Sequence, residues 1–299
     1  MIEQLPALPV IGSVSGIGAA DPGCSLGPVV VQNSPLLNQL SLNLRWDDFL
    51  YVHASQQGLA AIPAIAELCK RLATQTYQYT QQQQPFMVIG GDHSCAIGTW
   101  SGVATALQSQ GPVGLIWIDA HMDSHTPQTT PSNNVHGMPL ACLLGYGDPA
   151  LTKILSPQPK LRPEHVCLIG VRSFESGEAE LLKKLNVRIY FMDEIRERGL
   201  QEVFQEALNI VQHGTVGYGL SIDLDVIDPI EAPGVGSPAP AGITSIDLYH
   251  ALDLILQNNR LIGMEIAEFN PNRDENNKTE KIIVEIFRKL ASYINHLKK

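Results

Sequence analysis

Apolar residues recur along the chain in two rhythms. Short apolar runs at 8–11, 86–89, 113–118, 166–171, 187–192, 216–222 and 261–266 have strand length and end at glycine or polar clusters. Between them, 58–73, 97–107, 178–185, 200–211, 245–256 and 275–297 repeat apolar residues at helical spacing, and 140–144 begins another helix. Pro63 fits its helix only in the first turn. Thr244, three residues before Asp247, gives 245–256 a capping-box-like start. The Gln- and Tyr-rich stretch 74–85 reads as a short low-complexity helix end or a surface loop. Residues 124–137, with their Pro, Thr, Ser, Asn and Gly, read as a loop. Gly12, Gly16, Gly18, Gly23 and Gly27 mark another loop, which has neither the Gly-Lys-Ser/Thr of a phosphate loop nor the dinucleotide spacing. Strand and helix alternate with no composition break and no internal repeat. That predicts one α/β domain over 1–299, with a largely parallel sheet covered on both faces.

In such sheets, ligands collect beyond the carboxyl ends of the strands, and three polar clusters fall at such ends. Gly90-Gly91-Asp92-His93-Ser94 follows the run 86–89, its glycines leaving room for a tight turn and close backbone approach. Asp119-Ala120-His121-Met122-Asp123 follows 113–118, and in an extended chain Asp119, His121 and Asp123 would share one face. Ser221-Ile222-Asp223-Leu224-Asp225-Val226-Ile227-Asp228-Pro229 closes 216–222, with Asp223 and Asp225 alternating in the same way. Carboxylates and imidazoles gathered on one side repel or desolvate one another unless a cation lies between them. Mixed imidazole and carboxylate donors without thiolate favour a divalent ion such as Mn²⁺ over a structural zinc. His93, Asp119, His121, Asp123, Asp223 and Asp225 are too many for one ion with an open position, and two ions sharing carboxylates would use them all.

Composition narrows the partners. The 299 residues are 44% hydrophobic and 17% charged, and the formal net charge of −10 argues against nucleic acid and anionic membranes as partners. No apolar run approaches the ~20 residues of a membrane span. No secretory signal pattern is visible. Cys24, Cys69, Cys95, Cys142 and Cys167 are widely spaced without a C-x-x-C, as expected of buried thiols in a reducing, cytoplasmic compartment.

G-G-D-H-S, D-A-H-x-D and S-x-D-x-D-x-x-D-P, in this order, resemble the ureohydrolases, the family of arginases, agmatinases and their relatives. The likeness runs from about Ile11 through Glu268-Phe269-Asn270-Pro271 and is strongest to the arginases. It implies a three-layer αβα sandwich and two Mn²⁺ ions. His93, Asp119, Asp123 and Asp223 would hold one ion, and Asp119, His121, Asp223 and Asp225 the other. It also implies hydrolysis of the guanidinium group of L-arginine to L-ornithine and urea by a hydroxide between the ions. Asp123 would pass the proton to the leaving amine, His136 would exchange protons with solvent, and Glu268 would pair with the guanidinium. The loop 129–139 resembles the arginase loop in which a Ser, an Asn and a following His read the amino-acid head. Ser132, Asn134 and His136 match it, with Thr130 beside them. His125 stands where arginases have an Asn, Glu175 where they have an Asp near the ammonium, and Ser237 where they have a Thr. Glu178 closes the Glu175 segment and is counted with the substrate contacts. The alternative is an agmatinase or another guanidino-acid ureohydrolase. Zinc deacetylases share the general fold but use an adjacent His-His pair, which this chain lacks. Relatives form homotrimers or homohexamers, so the resemblance implies a homo-oligomer.

Overall fold

The structure, a computed structural model, describes residues 7–255 and 260–296. Its elements are β1 (Leu8–Val14), α1 (Gly27–Gln32), α2 (Pro35–Gln39), β2 (Leu44–Tyr51), α3 (Ile62–Gln81), β3 (Phe86–Gly90), α4 (Cys95–Leu107), β4 (Gly114–Ile118) and α5 (Pro139–Leu143). Then follow α6 (Pro149–Thr152), β5 (Val166–Val171), α7 (Ser176–Lys184), β6 (Arg188–Phe191), α8 (Met192–Arg198), α9 (Leu200–Gln212), β7 (Tyr218–Asp223), α10 (Ser245–Ile255), β8 (Leu261–Ala267) and α11 (Lys278–His296). The predicted helix ends at 256 and 297 lie outside the described residues.

The strands form one sheet of order β2-β1-β3-β8-β7-β4-β5-β6, parallel throughout. Strand side chains alternate between its faces. Met87, Ile89, Ile116, Ile118, Cys167 and Ile169 pack with Phe204 and Leu208 of α9, Leu248 of α10 and Phe287 of α11. Phe86, Val88, Leu115, Trp117, Val166 and Leu168 face the other way, onto Leu68 and Leu72 of α3, Trp100 and Val103 of α4, and Leu182 of α7. The result is the expected helix–sheet–helix sandwich. Its strand runs are almost wholly apolar because both faces are covered.

Strand order carries the site. Register pairs Ile89 with Ile266, Ile266 with Ile222, and Ile222 with Ile118, so β3, β8, β7 and β4 end level with one another at the middle of the sheet. The three polar clusters and Glu268 leave from those four ends.

The structure departs from the expectations in physically readable ways. β2 was not among the predicted strands. It is an edge strand whose Arg45, Asp47, Asp48 and Tyr51 are exposed, so its apolar run is broken. The stretch 74–85 is mostly helical: Thr76, Tyr79 and Thr80 continue the buried stripe of Leu68, Leu72 and Ala73, which keeps α3 going to Gln81. The predicted run 187–192 gives β6, and its last residue, Met192, opens α8. Pro63 does sit in the first turn of α3, and Thr244 accepts from Asp247 N at 3.1 Å at the head of α10.

Close packing gives a first testable expectation. A Cβ on Gly219 would lie 2.0 Å from Cζ3 of the buried Trp100 ring. Gly219→Ala therefore forces that indole out of its slot and is expected to cost about 2–4 kcal/mol of stability, read by denaturant unfolding.

Candidate active site

His93, Asp119 and Asp223 form one buried cluster, and Asp119, His121 and Asp225 form a second that is partly open. His93 Nδ1 lies 3.1 Å from Asp123 Oδ2, 3.2 Å from Asp119 Oδ2 and 3.3 Å from Asp223 Oδ2. His121 Nδ1 lies 3.0 Å from Asp225 Oδ2 and 3.5 Å from Asp119 Oδ1. Asp119 thus turns one oxygen to each cluster.

The side chains converge by turns, not by strand alternation. Both motifs leave the extended conformation at once. Asp119 Oδ1 accepts from His121 N at 2.7 Å, and Asp223 Oδ1 accepts from Asp225 N at 2.9 Å, so each Asp folds its own motif back. Asp123 has φ of +46° and Glu268 +66°, a region that non-glycine residues rarely adopt. Such backbone strain persists where the surroundings over-determine it, and both residues face the site. Behind Gly90-Gly91 the chain backs directly onto Ser15, as the glycine pair predicts: a Cβ on Gly91 would lie 1.8 Å from the Ser15 carbonyl oxygen.

A relay fixes the proton on His93. Ser221 Oγ donates to Glu265 Oε1 at 2.6 Å. It can then only accept from His93 Nε2, at 2.9 Å. That places a proton on Nε2 and leaves Nδ1 to face three carboxylate oxygens, as a lone pair whenever a metal takes the place of its proton. No hydrogen bond satisfies that buried nitrogen, nor Asp225 Oδ2. Positive charge must lie between Nδ1 and those carboxylates: a proton in the metal-free protein, where burial opposes but the three carboxylates hold the His93 pKa well above its usual value, or a metal cation in its place. Four carboxylates also balance the charge of two divalent ions, and the donor set is all nitrogen and oxygen. These residues fit a binuclear metal centre. Without cations, burial and the neighbouring Asp119 push Asp123 up to about 6. Burial and the Asp225 and Asp119 charges raise Asp223 well above the usual carboxylate range.

The clusters open into a cleft of about 170 Å³ whose walls include His125, Ser132, His136, Glu175, Glu178, Ser237 and Glu268. Larger surface depressions exist, one of about 680 Å³ beside Phe174 and Phe191, but the His/Asp clusters do not line it. Thr130 and Asn134 lie in the same loop but outside the cleft wall; Thr130 Oγ1 accepts from Asn133 N at 3.1 Å. His125 and Glu175, the two residues that differ from the arginase pattern, touch each other: Nε2 lies 3.0 Å from Oε2. Glu178 is buried and closes a capping box with Glu175 at the head of α7.

His136 Nδ1 donates to Glu268 Oε1 at 3.0 Å. Burial would lower its pKa, but the Glu268 carboxylate outweighs that and holds it up at about 9. With the folded value above the unfolded one near 6.5, this pair's stabilisation is full below pH 6.5 and fades as pH rises through 9. In chelator-treated protein, the Tm gap between the parent and His136→Asn is expected to narrow over that window.

Sequence reasoning left Ser221 and Glu265 without a role and missed Trp117 and Cys24. Trp117 Nε1 donates to Asp119 Oδ2 at 2.8 Å, and its ring stacks on His93 at 4.2 Å. Ser221 and Glu265 were findable, since a polar pair inside otherwise apolar strands needs a reason. Cys24 carried no signal.

A family model described as the arginase family matches residues 8–292 of the chain. Among curated proteins, an arginase of Bacillus caldovelox is 38% identical over 292 residues, covering 94% of this chain and 96% of its own. The crystal structure of arginase from Bacillus subtilis superposes with a TM-score of 0.86 at 34% identity, over 96% of this chain and 98% of that one. An Entamoeba histolytica arginase in complex with L-ornithine superposes at 0.87 with 27% identity, over 96% and 99%.

Proposed function

The chain belongs to the arginase family, and we propose that it hydrolyses the guanidinium group of L-arginine to L-ornithine and urea with two Mn²⁺ ions bound. The observation that carries this reading is His93 Nδ1 converging with three carboxylate oxygens while Asp119 serves both clusters. His93, Asp119, Asp123 and Asp223 would hold one ion, and Asp119, His121, Asp223 and Asp225 the other. When bound, the ions supply a strong nucleophile at neutral pH by activating water.

The remaining chemistry belongs to the side chains. Glu268, buried at the cleft floor, offers its carboxylate to the planar cation, a geometry suited to paired hydrogen bonds. Asp123, on the cleft wall, would take the proton that the attacking nucleophile gives up and pass it to the departing amine. His136 reaches from Glu268 toward solvent, its side chain about one-fifth exposed, and would exchange a second proton between the site and the bulk. On the cleft wall, His125, Ser132 and Ser237 would receive the amino-acid head together with Thr130 and Asn134 of the adjoining loop, and Glu175 and Glu178 would meet its α-ammonium. We read residues 1–299 as one domain of a cytoplasmic homo-oligomer, a trimer or hexamer. No helix of the described residues is long and apolar enough to cross a membrane.

Urea release from L-arginine and, in parallel, from agmatine tests this reading, after incubation with Mn²⁺ and with a chelated control. Metal-dependent urea from arginine is expected. Urea from agmatine alone would mean that the mouth does not read an amino-acid head. No urea from either, with two ions bound, would overturn the proposal.

A further inference from the structure

Glu268 is held by three partners, and one of them is a thiol. Oε1 accepts from His93 N at 2.9 Å and from His136 Nδ1 at 3.0 Å. Oε2 accepts from Cys24 Sγ at 3.2 Å. Cys24 is fully buried in the 3-10 turn Pro22–Leu26. That turn is tied to the segment just after Glu268. Asp21 Oδ1 accepts from Gly23 N at 2.9 Å, while Asp21 Oδ2 accepts from Asn270 Nδ2 at 3.2 Å and Arg273 Nη2 at 2.7 Å. Opposite lies Gly236, where a Cβ would sit 2.1 Å from Glu268 Oε2 and 3.0 Å from Cys24 Sγ. Carboxyl and thiol therefore share a narrow slot against the Gly236 backbone. The left-handed backbone at Glu268 does not by itself fix where the carboxyl points, so its direction is set by these outside contacts.

We propose that Cys24 is a positioning residue for guanidinium recognition, its S–H locking the Glu268 carboxyl in the plane that meets the substrate cation. The inference rests on the reading that Glu268 pairs with the guanidinium. Thiol chemistry suits the task. A weak donor satisfies a buried oxygen without adding a charge or a strong competing hydrogen bond, and leaves acceptor capacity for the substrate. Burial keeps the thiol protonated, and Sγ lies nearer to Glu268 Oε2, at 3.2 Å, than to the Glu268 carbonyl oxygen, at 3.5 Å. The other thiols described as donors differ: Cys69 reaches the Ser94 carbonyl and Cys95 reaches Glu265, and neither partner lines the cleft. The competing explanation is that Cys24 only fills space.

Valine and serine separate these two roles, since valine keeps the bulk without the donor and serine keeps a donor in less bulk. The experiment measures steady-state urea release from L-arginine by Mn²⁺-loaded parent, Cys24→Val, Cys24→Ser and Glu268→Gln, with bound manganese and Tm recorded for each. Cys24→Val is expected to raise KM roughly tenfold with kcat within about threefold and metal content intact, as loss of substrate binding requires. Cys24→Ser is expected to recover most of that KM. Should Cys24→Val fail to accumulate, Cys24→Ala carries the same expectation. A parent-like KM in Cys24→Val, or a serine variant as impaired as valine, would overturn the inference. The Glu268→Gln arm keeps the two readings apart. Parent-like kinetics there would remove the role of Glu268 itself, whereas a loss there beside a silent Cys24→Val rejects only the thiol.

Discussion

Asp223→Asn is expected to lower urea release by about three orders of magnitude or more while leaving the metal-free protein as stable as the parent, or more so. The two halves of that result have one cause. Asp223 is buried, its Oδ2 lies 3.3 Å from His93 Nδ1, and the Asp225 and Asp119 charges crowd it. Burial and those charges raise its pKa well above the unfolded value. Between the two values the native state binds more protons than the unfolded chain, so this group's contribution to stability falls as pH rises through that window. At neutral pH the ionised carboxylate is therefore a cost that the metal-free fold carries. Asparagine keeps the shape and an oxygen to accept from Asp225 N but removes the charge. It also removes a donor proposed to serve both ions, and the loss of a direct ligand should exceed the 10–100-fold typical of outer partners. Thermal unfolding with and without Mn²⁺ provides the check. Saturating metal should raise the parent Tm by roughly 5 °C, since binding only the native state at about 100-fold above Kd contributes about 2.7 kcal/mol. The variant should show little shift. A variant that loses metal-free stability together with activity would mean that Asp223 is a structural residue.

The contrast between activity and stability also explains what could be read from the sequence. The proposed metal ligands stand out because they break the local rules. Asp and His at the ends of apolar strands are locally unfavourable, and their residue types name the chemistry. The predicted strands and most predicted helices were legible for the opposite reason, because each obeys its rhythm. β2 and α8 were hidden where those rhythms weaken, at an edge strand with exposed polar residues and at a turn that runs straight from strand into helix. The sequence also suggested the wrong local geometry. Alternation seemed to put Asp119, His121 and Asp123 on one strand face, yet the residues meet because Asp119 caps its own turn and Asp123 takes a left-handed backbone. Nothing in residue order announces a positive φ at an aspartate. Partnerships across the sheet were equally silent. His93 with Ser221, and Glu268 with Cys24, are separated by 128 and 244 residues and become neighbours only through the strand order.

Glu265→Leu is expected to cost about 3–5 kcal/mol of stability and to weaken Mn²⁺ binding by one to two orders of magnitude, although Glu265 is in neither metal cluster. Its carboxyl group is fully buried and accepts from Thr99 Oγ1 at 2.5 Å, Trp100 Nε1 at 3.1 Å and Ser221 Oγ at 2.6 Å. Leucine leaves these buried donors unpaired, each at about 1–3 kcal/mol, with partial relief as side chains relax. Denaturant unfolding measures that loss. The effect on metal follows from the proton on His93. Only while Ser221 donates to Glu265 must its oxygen accept from His93 Nε2, which keeps the Nδ1 lone pair facing the carboxylates. With Glu265 gone, Ser221 is free to donate to Nε2, and the proton moves to Nδ1, where a ligand lone pair is needed. Ser221→Ala breaks the same chain one link nearer the metal. The two substitutions should therefore be strongly non-additive in Mn²⁺ affinity, with the double variant little worse than either single one. Glu265→Gln, which keeps one acceptor oxygen, should lie between parent and leucine. Additive losses in the double variant would mean that Glu265 supports the fold alone and that His93 keeps its tautomer by other means.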